Sequence, residues 1–469
     1  MNLKSIIQFS IGPLGVAFFG FITIPILTWV FQPEDIGKFT MLQLTSTLFI
    51  LIFSLGLDQA YIREHYESEN KAQLIKTSIL PGLFLLLLFF SFFVFFPKLI
   101  SVILFNISSQ ILSVLVITYI IFAFLSRFLS LILRMEEKGL AYSASQIFPK
   151  ILFLLVILYY YFYYTKYNLT DLIFAHTLSV ILVFFVFLWN TKSVWKSSFN
   201  QKIDRKKLKA MLHYGIPLTF GGIAYWGLTA IDKIFLRYFS NYEQLGLYSV
   251  SVNFAGAALI LQTIFSTIWA PTVFKWANSE DGFIKINKVR EYLLLGVIFI
   301  FLISGTFSWL IDFILPKNYL DVKYILLSCL CYPLLYTISE TTVIGINIVK
   351  KTSYSMIASL ISFIFNLIFC YLLIPNYGAI GAGISTSFSF LIFLILRTEF
   401  SNFLWKKTPR LKIYTTGLFM VLTSSLIVFN KDLMNWSLHI FFGVLLALFS
   451  IYTYKKIPDI KNSMNKVRS

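Results

Sequence analysis

The chain has 469 residues, 58% of them hydrophobic and only 13% charged, with 39 Lys and Arg against 21 Asp and Glu. That balance repeats along almost the whole length, which excludes a soluble globular core and marks a polytopic membrane protein. The net charge of +18 is spread over many short connections and forms no basic domain, which excludes nucleic acid as a partner.

A membrane-crossing helix needs about 20 mainly apolar residues, and about 14 stretches meet that need. In chain order they are residues 6–31, 38–62, 78–104, 111–134, 140–164, 170–190, 212–236, 246–274, 292–315, 322–346, 354–374, 378–396, 412–429 and 436–454. The first carries a single preceding lysine, Lys4, and no Ala-x-Ala-like cleavage site, so a retained helix is expected rather than a removed signal peptide. Lys and Arg sort by loop parity: roughly 29 fall on one side and roughly 7 on the other, the seven including Lys38, Lys98, Lys166 and Lys431. The asymmetry predicts that both termini are cytoplasmic.

The charges inside these stretches are the informative residues, because each costs about 2.5 to 3.5 kcal/mol at the centre of a membrane helix. Asp58 and Arg63, in "LGLDQAYIRE", fall at the inner end of the second helix, and their spacing of five is poor for a mutual pair. They read as interface anchors, a lock on a closed cytoplasmic gate, or substrate contacts. Arg127 sits roughly 10 Å in from the cytoplasmic face on the fourth helix, and Lys150 roughly 15 Å along the fifth, near the midplane. Pro149 removes a backbone hydrogen bond just before it, which predicts a local kink. "YYYFYY", residues 159–164, reads as an interfacial aromatic belt.

On the seventh helix, Tyr225 and Trp226 are candidates for stacking on a sugar face. "GLTAIDKIFLRYF" then sets Asp232 beside Lys233. Helix neighbours point about 100° apart, so each is expected to find another partner or to reach water, as an outer-surface anchor or a gate. Glu340, in "TISETTVIG", lies roughly 9 Å inside the tenth helix, where an acid either binds a coupling proton or cation or pairs with a neighbouring helix. Cys329, Cys331 and Cys370 read as small buried apolar residues, and His65, His176, His213 and His439 are scattered without ligand spacing. No cofactor, metal site or disulfide framework is expected.

The chain also repeats itself. "PEDIGKF", residues 33–39, follows the first stretch and "YEQLGLY", residues 242–248, the seventh; Pro13 and Pro217 occupy similar places upstream. Gly37 and Gly246 read as tight-turn glycines, with Phe39 and Tyr248 at the membrane interface. Because both repeats begin on the same side, they are parallel. The expected architecture is all-α: a six-helix bundle over 1–192, a basic cytoplasmic linker over 193–211, a second six-helix bundle over 212–397, two further helices over 398–454, and a basic tail over 455–469.

The stretches "PILTWVFQPEDIGKF" with "LGLDQAYIREHYE", "AIDKIFLRYFSNYEQLGLYSVSVNFA" and "NLIFCYLLIPNYGAIGAGIST" together resemble the polysaccharide flippases of the multidrug, oligosaccharidyl-lipid and polysaccharide exporter superfamily. The resemblance implies two bundles in a V around a central cavity, working by alternating access in the bacterial inner membrane. Its substrate would be an undecaprenyl-pyrophosphate-linked oligosaccharide for O-antigen, capsule or other exported glycan. Polymerase and chain-length proteins of the same pathway would be partners, alongside membrane lipids. One departure stands out: such proteins often carry an Arg after the Thr near the outer end of the first helix, and here that place is Trp29.

For such a substrate the need is for cations able to hold a pyrophosphate, and Lys150 and Arg127 could bracket the two phosphates, the one as a point charge and the other as a planar fork. Coupling to a proton, to sodium or to the membrane potential is open. A multidrug or cation exporter of the same fold would instead need a cavity dominated by acids. A polysaccharide polymerase would need a sizeable outer loop with catalytic residues, and every outer loop here is short.

Overall fold

The computed structural model describes residues 3–164, 166–276, 281–430 and 436–468, so Lys431 lies outside the described residues. Every regular element among them is helical. The reason is elementary: a chain this apolar sits in lipid, where backbone N–H and C=O groups find no water and must pair within their own segment. Eleven of the described helices are long and apolar enough to cross a membrane. Large apolar side chains such as Phe84 at 66% and Phe162 at 72% exposure point outward, as lipid-facing residues do.

Several expected stretches are cut or joined differently in the structure. Residues 354–374 and 378–396 form one continuous run, Ser353–Leu404, bent at Gly378, where φ is 52° and ψ −127°. The 246–274 stretch is two abutting helices, Tyr242–Ala255 and Ala257–Trp276. The 212–236 stretch lies inside a 35-residue helix, Arg205–Phe239. The 38–62 stretch breaks after Pro33–Ser54, because Leu55 (φ 52°) and Gly56 (φ 68°) turn through the left-handed region before the short helix Leu57–Glu64 begins. Gly139–Tyr163 runs through Pro149 as one helix.

The chain divides into two compact units, Met1–Ala230 and Ile231–Ser469. In the first, the Gly139–Tyr163 helix packs along Leu3–Val30, and Gln110–Met135 along Leu169–Asn190, around a core that includes Leu42, Leu57, Tyr61, Phe124 and Phe128. The basic segment near residue 200 is tied to this unit. Lys76 Nζ donates to the Phe199 carbonyl at 2.8 Å, Gln73 Nε2 to that of Lys202 at 3.1 Å, and Lys207 Nζ to Ser68 Oγ at 2.8 Å. In the second, Val322–Thr342 is the central helix, flanked by Ser353–Leu404, Tyr242–Ala255 and Ala257–Trp276.

The repeat motif has a different role from the one its sequence suggested. Gly37 and Gly246 sit buried within the first turns of helices rather than in the turns that precede them. Phe39 and Tyr248 are only 5% and 1% exposed. Both are enclosed by protein and pack against buried polar groups described next.

Candidate functional site

In the first unit, Lys150 has no ion pair or hydrogen bond among the described residues. Its ammonium acts electrostatically on His176, which the Leu169–Asn190 helix carries. His176 is held from three sides. Its ring stacks on Tyr119 at 4.8 Å and meets Phe39 and Phe153 edge-on at 4.9 and 5.1 Å. Its Nε2 is 3.1 Å from the Tyr119 hydroxyl, while Nδ1 is buried without a partner. Sequence reading placed Lys150 at depth but treated His176 as one of four unrelated histidines. The signal that would have found it is Phe39 of the repeat motif, which packs against it.

Arg127 does not stand free as a phosphate ligand: its Nη2 lies 2.9 Å and its Nε 3.3 Å from Asp58 Oδ2. Gln59 Nε2 donates to the same oxygen at 3.2 Å. The Arg127 side chain is 45% exposed and that of Asp58 only 10%, so the base stays accessible while the acid is enclosed. Arg63, five residues from Asp58, turns elsewhere and lies over the Tyr214 ring at 4.6 Å. Tyr225 is 56% exposed, and the Trp226 indole N–H is buried without an acceptor. Trp29 is 56% exposed.

In the second unit, Asp232 is only 3% exposed. It accepts hydrogen bonds from the Tyr248 hydroxyl and, at 3.2 Å, from Thr386 Oγ1. The expectation that Asp232 and Lys233 would not meet is corrected: Lys233 Nζ lies 3.7 Å from Asp232 Oδ1 and 5.8 Å from the Tyr248 ring centroid. The long lysine stem folds back where a short side chain could not. Asn366 and Cys370 are buried nearby in sequence on the kinked helix, with the thiol donating to Asn366 Oδ1 at 3.4 Å.

Glu340 takes the paired arrangement of the two read from the sequence. Arg397 Nη1 is 2.9 Å from Glu340 Oε1 and also donates to Ser339 Oγ at 2.9 Å. Ser266 Oγ lies 3.3 Å from the other carboxylate oxygen. Phe393 stacks on the guanidinium at 4.6 Å. Each acid singled out from the sequence, Asp58, Asp232 and Glu340, thus has a cationic partner within its own unit, whereas Lys150 has no acidic one.

A body of many long apolar helices, with charged groups held among them, belongs to the class of multi-pass helical membrane proteins. Solved structures share its fold, two of them at a TM-score above 0.55. One is the lipid II flippase MurJ in an inward closed conformation, with a TM-score of 0.68 at 19% identity, covering 96% of this chain and 99% of that one. The other is an inward-facing multidrug resistance MATE family transporter of the MOP superfamily, with a TM-score of 0.56 at 15% identity, covering 88% and 98%. The chain belongs to the polysaccharide biosynthesis protein family, which matches residues 3–276. It is a multi-pass membrane protein of that family.

Among its relatives, an uncharacterized membrane protein of Methanocaldococcus jannaschii is 25% identical over 92% of both chains. The capsular polysaccharide biosynthesis protein CapF of Staphylococcus aureus is 25% identical over 49% of this chain and 63% of its own. The probable low-salt glycan biosynthesis flippase Agl15 of Haloferax volcanii is 22% identical over 52% and 54%. The chain therefore matches a little over half the length of these last two.

Proposed function

We propose that the protein translocates undecaprenyl-pyrophosphate-linked oligosaccharide units from the cytoplasmic to the outer leaflet of the bacterial inner membrane by alternating access, for assembly of O-antigen, capsule or another exported glycan. The observation that carries this reading is Lys150: a cation deep in a membrane helix, beside a caged His176, with no acid to neutralise it. Such a charge is costly to keep in lipid and is retained where an anion comes to it. The pyrophosphate of the carrier is that anion, and the long tail stays in lipid while only the head is sheltered.

Arg127 is the second contact in this reading. Its exposed edge engages a phosphate while Asp58 holds its other edge, a division suited to the planar guanidinium. Tyr225 and Trp226 present faces for the sugars. Asp58, Arg63, Asp232, Lys233 and Glu340 serve the change of state, with the ion pairs of the three acids exchanging as the helices move. An inside-negative potential favours outward movement of the pyrophosphate by about 2.3 kcal/mol per charge per 100 mV, and a proton or sodium ion adds to it if coupled. Polymerase and chain-length proteins act downstream of the delivered unit.

Multidrug or cation export is the less supported alternative, because the acids it would use are each occupied by a basic residue. The test is gene deletion followed by determination of which leaflet holds the lipid-linked unit. Accumulation on the cytoplasmic side is expected, with loss of long surface polysaccharide. Accumulation of single units on the outer side would overturn the reading in favour of a polymerization step.

A further inference from the structure

A pocket of about 470 Å³ lies in the second unit, between the first turns of the Gly282–Thr306 helix and the segment that opens Leu411–Phe429. Its wall carries four basic residues, Lys288, Arg290, Arg410 and Lys412, against one acid, Glu291. Two of the four are accounted for: Lys412 pairs with Glu291, and Arg410 with Glu399 at 2.9 Å. The other two have no carboxylate partner among the described residues.

Arg290 is the telling one, because it is only 4% exposed. Its Nη1 donates to Asn287 Oδ1 at 2.6 Å and its Nη2 to the Thr341 carbonyl at 2.9 Å, both neutral acceptors, and its Nε has no partner at all. A guanidinium buried without a counter-charge is strongly unfavourable unless an anion completes it. Lys288, half-buried and without an ion pair among the described residues, lines the same pocket and adds a second uncompensated charge to it.

The pocket is also apolar. Ile284 and Leu411, at 55% and 77% exposure, stand on its rim, with Leu294 and Ile413 further in. A free phosphate would need the cations and not these side chains. A ligand that uses both has an anionic head and a hydrocarbon body. The pocket is formed by the first turns of two helices that are long and apolar enough to cross a membrane, Gly282–Thr306 and Leu411–Phe429, and basic pockets between the ends of such helices are suited to anionic lipid heads.

We infer that this pocket is a binding site for an anionic phospholipid, with the phosphate on Arg290 and Lys288 and the first part of an acyl chain against Ile284 and Leu411. The site is separate from the residues assigned to cargo, so its test does not depend on flipping. Purified full-length protein is titrated with phosphatidylglycerol and, in parallel, phosphatidylcholine, with bound lipid counted by native mass spectrometry and inorganic phosphate added as competitor.

Retention of phosphatidylglycerol over phosphatidylcholine is expected, with Lys288→Gln weakening it about fivefold, the worth of one basic residue at an anionic lipid surface. Leu411→Ser is expected to weaken it further without changing the melting temperature of the lipid-free protein. Equal binding of the two lipids, or an unchanged preference in Lys288→Gln, overturns the inference. Full displacement of phosphatidylglycerol by inorganic phosphate also overturns it, since the ligand would then be the free anion.

Discussion

Arg127 grips Asp58 across 69 residues of sequence, with Nη2 at 2.9 Å and Nε at 3.3 Å from one carboxylate oxygen. The two ends of this pair are not equivalent: the acid is enclosed and the base half in the open. Removing the base strands an acid that water cannot reach, whereas removing the acid leaves a guanidinium that water can solvate. Arg127→Ala is therefore expected to lower stability by about 1–3 kcal/mol and Asp58→Ala by less, the exposed side discounting the pair. Melting of both single variants and of the double variant in detergent checks this; the double variant melts above Arg127→Ala.

Lys150 separates stability from transport. Since no acid partners it, replacing it with Met removes an uncompensated charge from the interior and is expected to leave the melting temperature unchanged or higher. Export of the glycan is expected to collapse at normal protein level. Lys150→Arg, which keeps the charge, retains part of the export. Full export in Lys150→Met would take the residue out of the substrate path.

Tyr248 donates to a buried carboxylate, that of Asp232. Hydrogen bonds to charged groups contribute about 1.5–3 kcal/mol, so Tyr248→Phe is expected to cost that much. Thr386→Val, losing a 3.2 Å contact to the same oxygen, costs less. Because both donate to Asp232 Oδ2, their effects are coupled, and a thermal double-mutant cycle is expected to depart from additivity.

Gly56 cannot be replaced. Its φ of +68° strains any L side chain, and a Cβ there would lie 2.1 Å from the Gly215 carbonyl oxygen. Gly56→Ala is expected to reduce the folded yield severely. Gly20, around which nothing lies within 4 Å of a built Cβ, accepts Ala without loss. Yield and monodispersity of the purified variants distinguish the two.

His65 lies between membrane helices, with both ring nitrogens buried and unpartnered. Burial, aided by the Lys71 charge and opposed by Glu136, holds its imidazole below the ordinary value of 6.5. Above that value it is neutral in folded and unfolded chains alike and stability does not change with pH. As pH falls below 6.5 the unfolded chain takes up a proton that the folded site refuses, so stability is lost. His65→Gln is expected to flatten the decline in melting temperature between neutral and mildly acidic pH.

The membrane class and most of the apolar stretches were readable along the chain, because lipid as a solvent imposes a length on each helix. Partnership was not readable. Asp58 finds Arg127 and not its near neighbour Arg63, Glu340 finds Arg397, and Lys150 lies near His176 with nothing acidic beside it. Periodicity says how deep a residue lies and which way its helix runs; it does not say which helix comes alongside. Only tertiary packing decides that, because a buried charge takes whatever counter-charge or hydrogen-bond donor the neighbouring helix brings within about 3 Å.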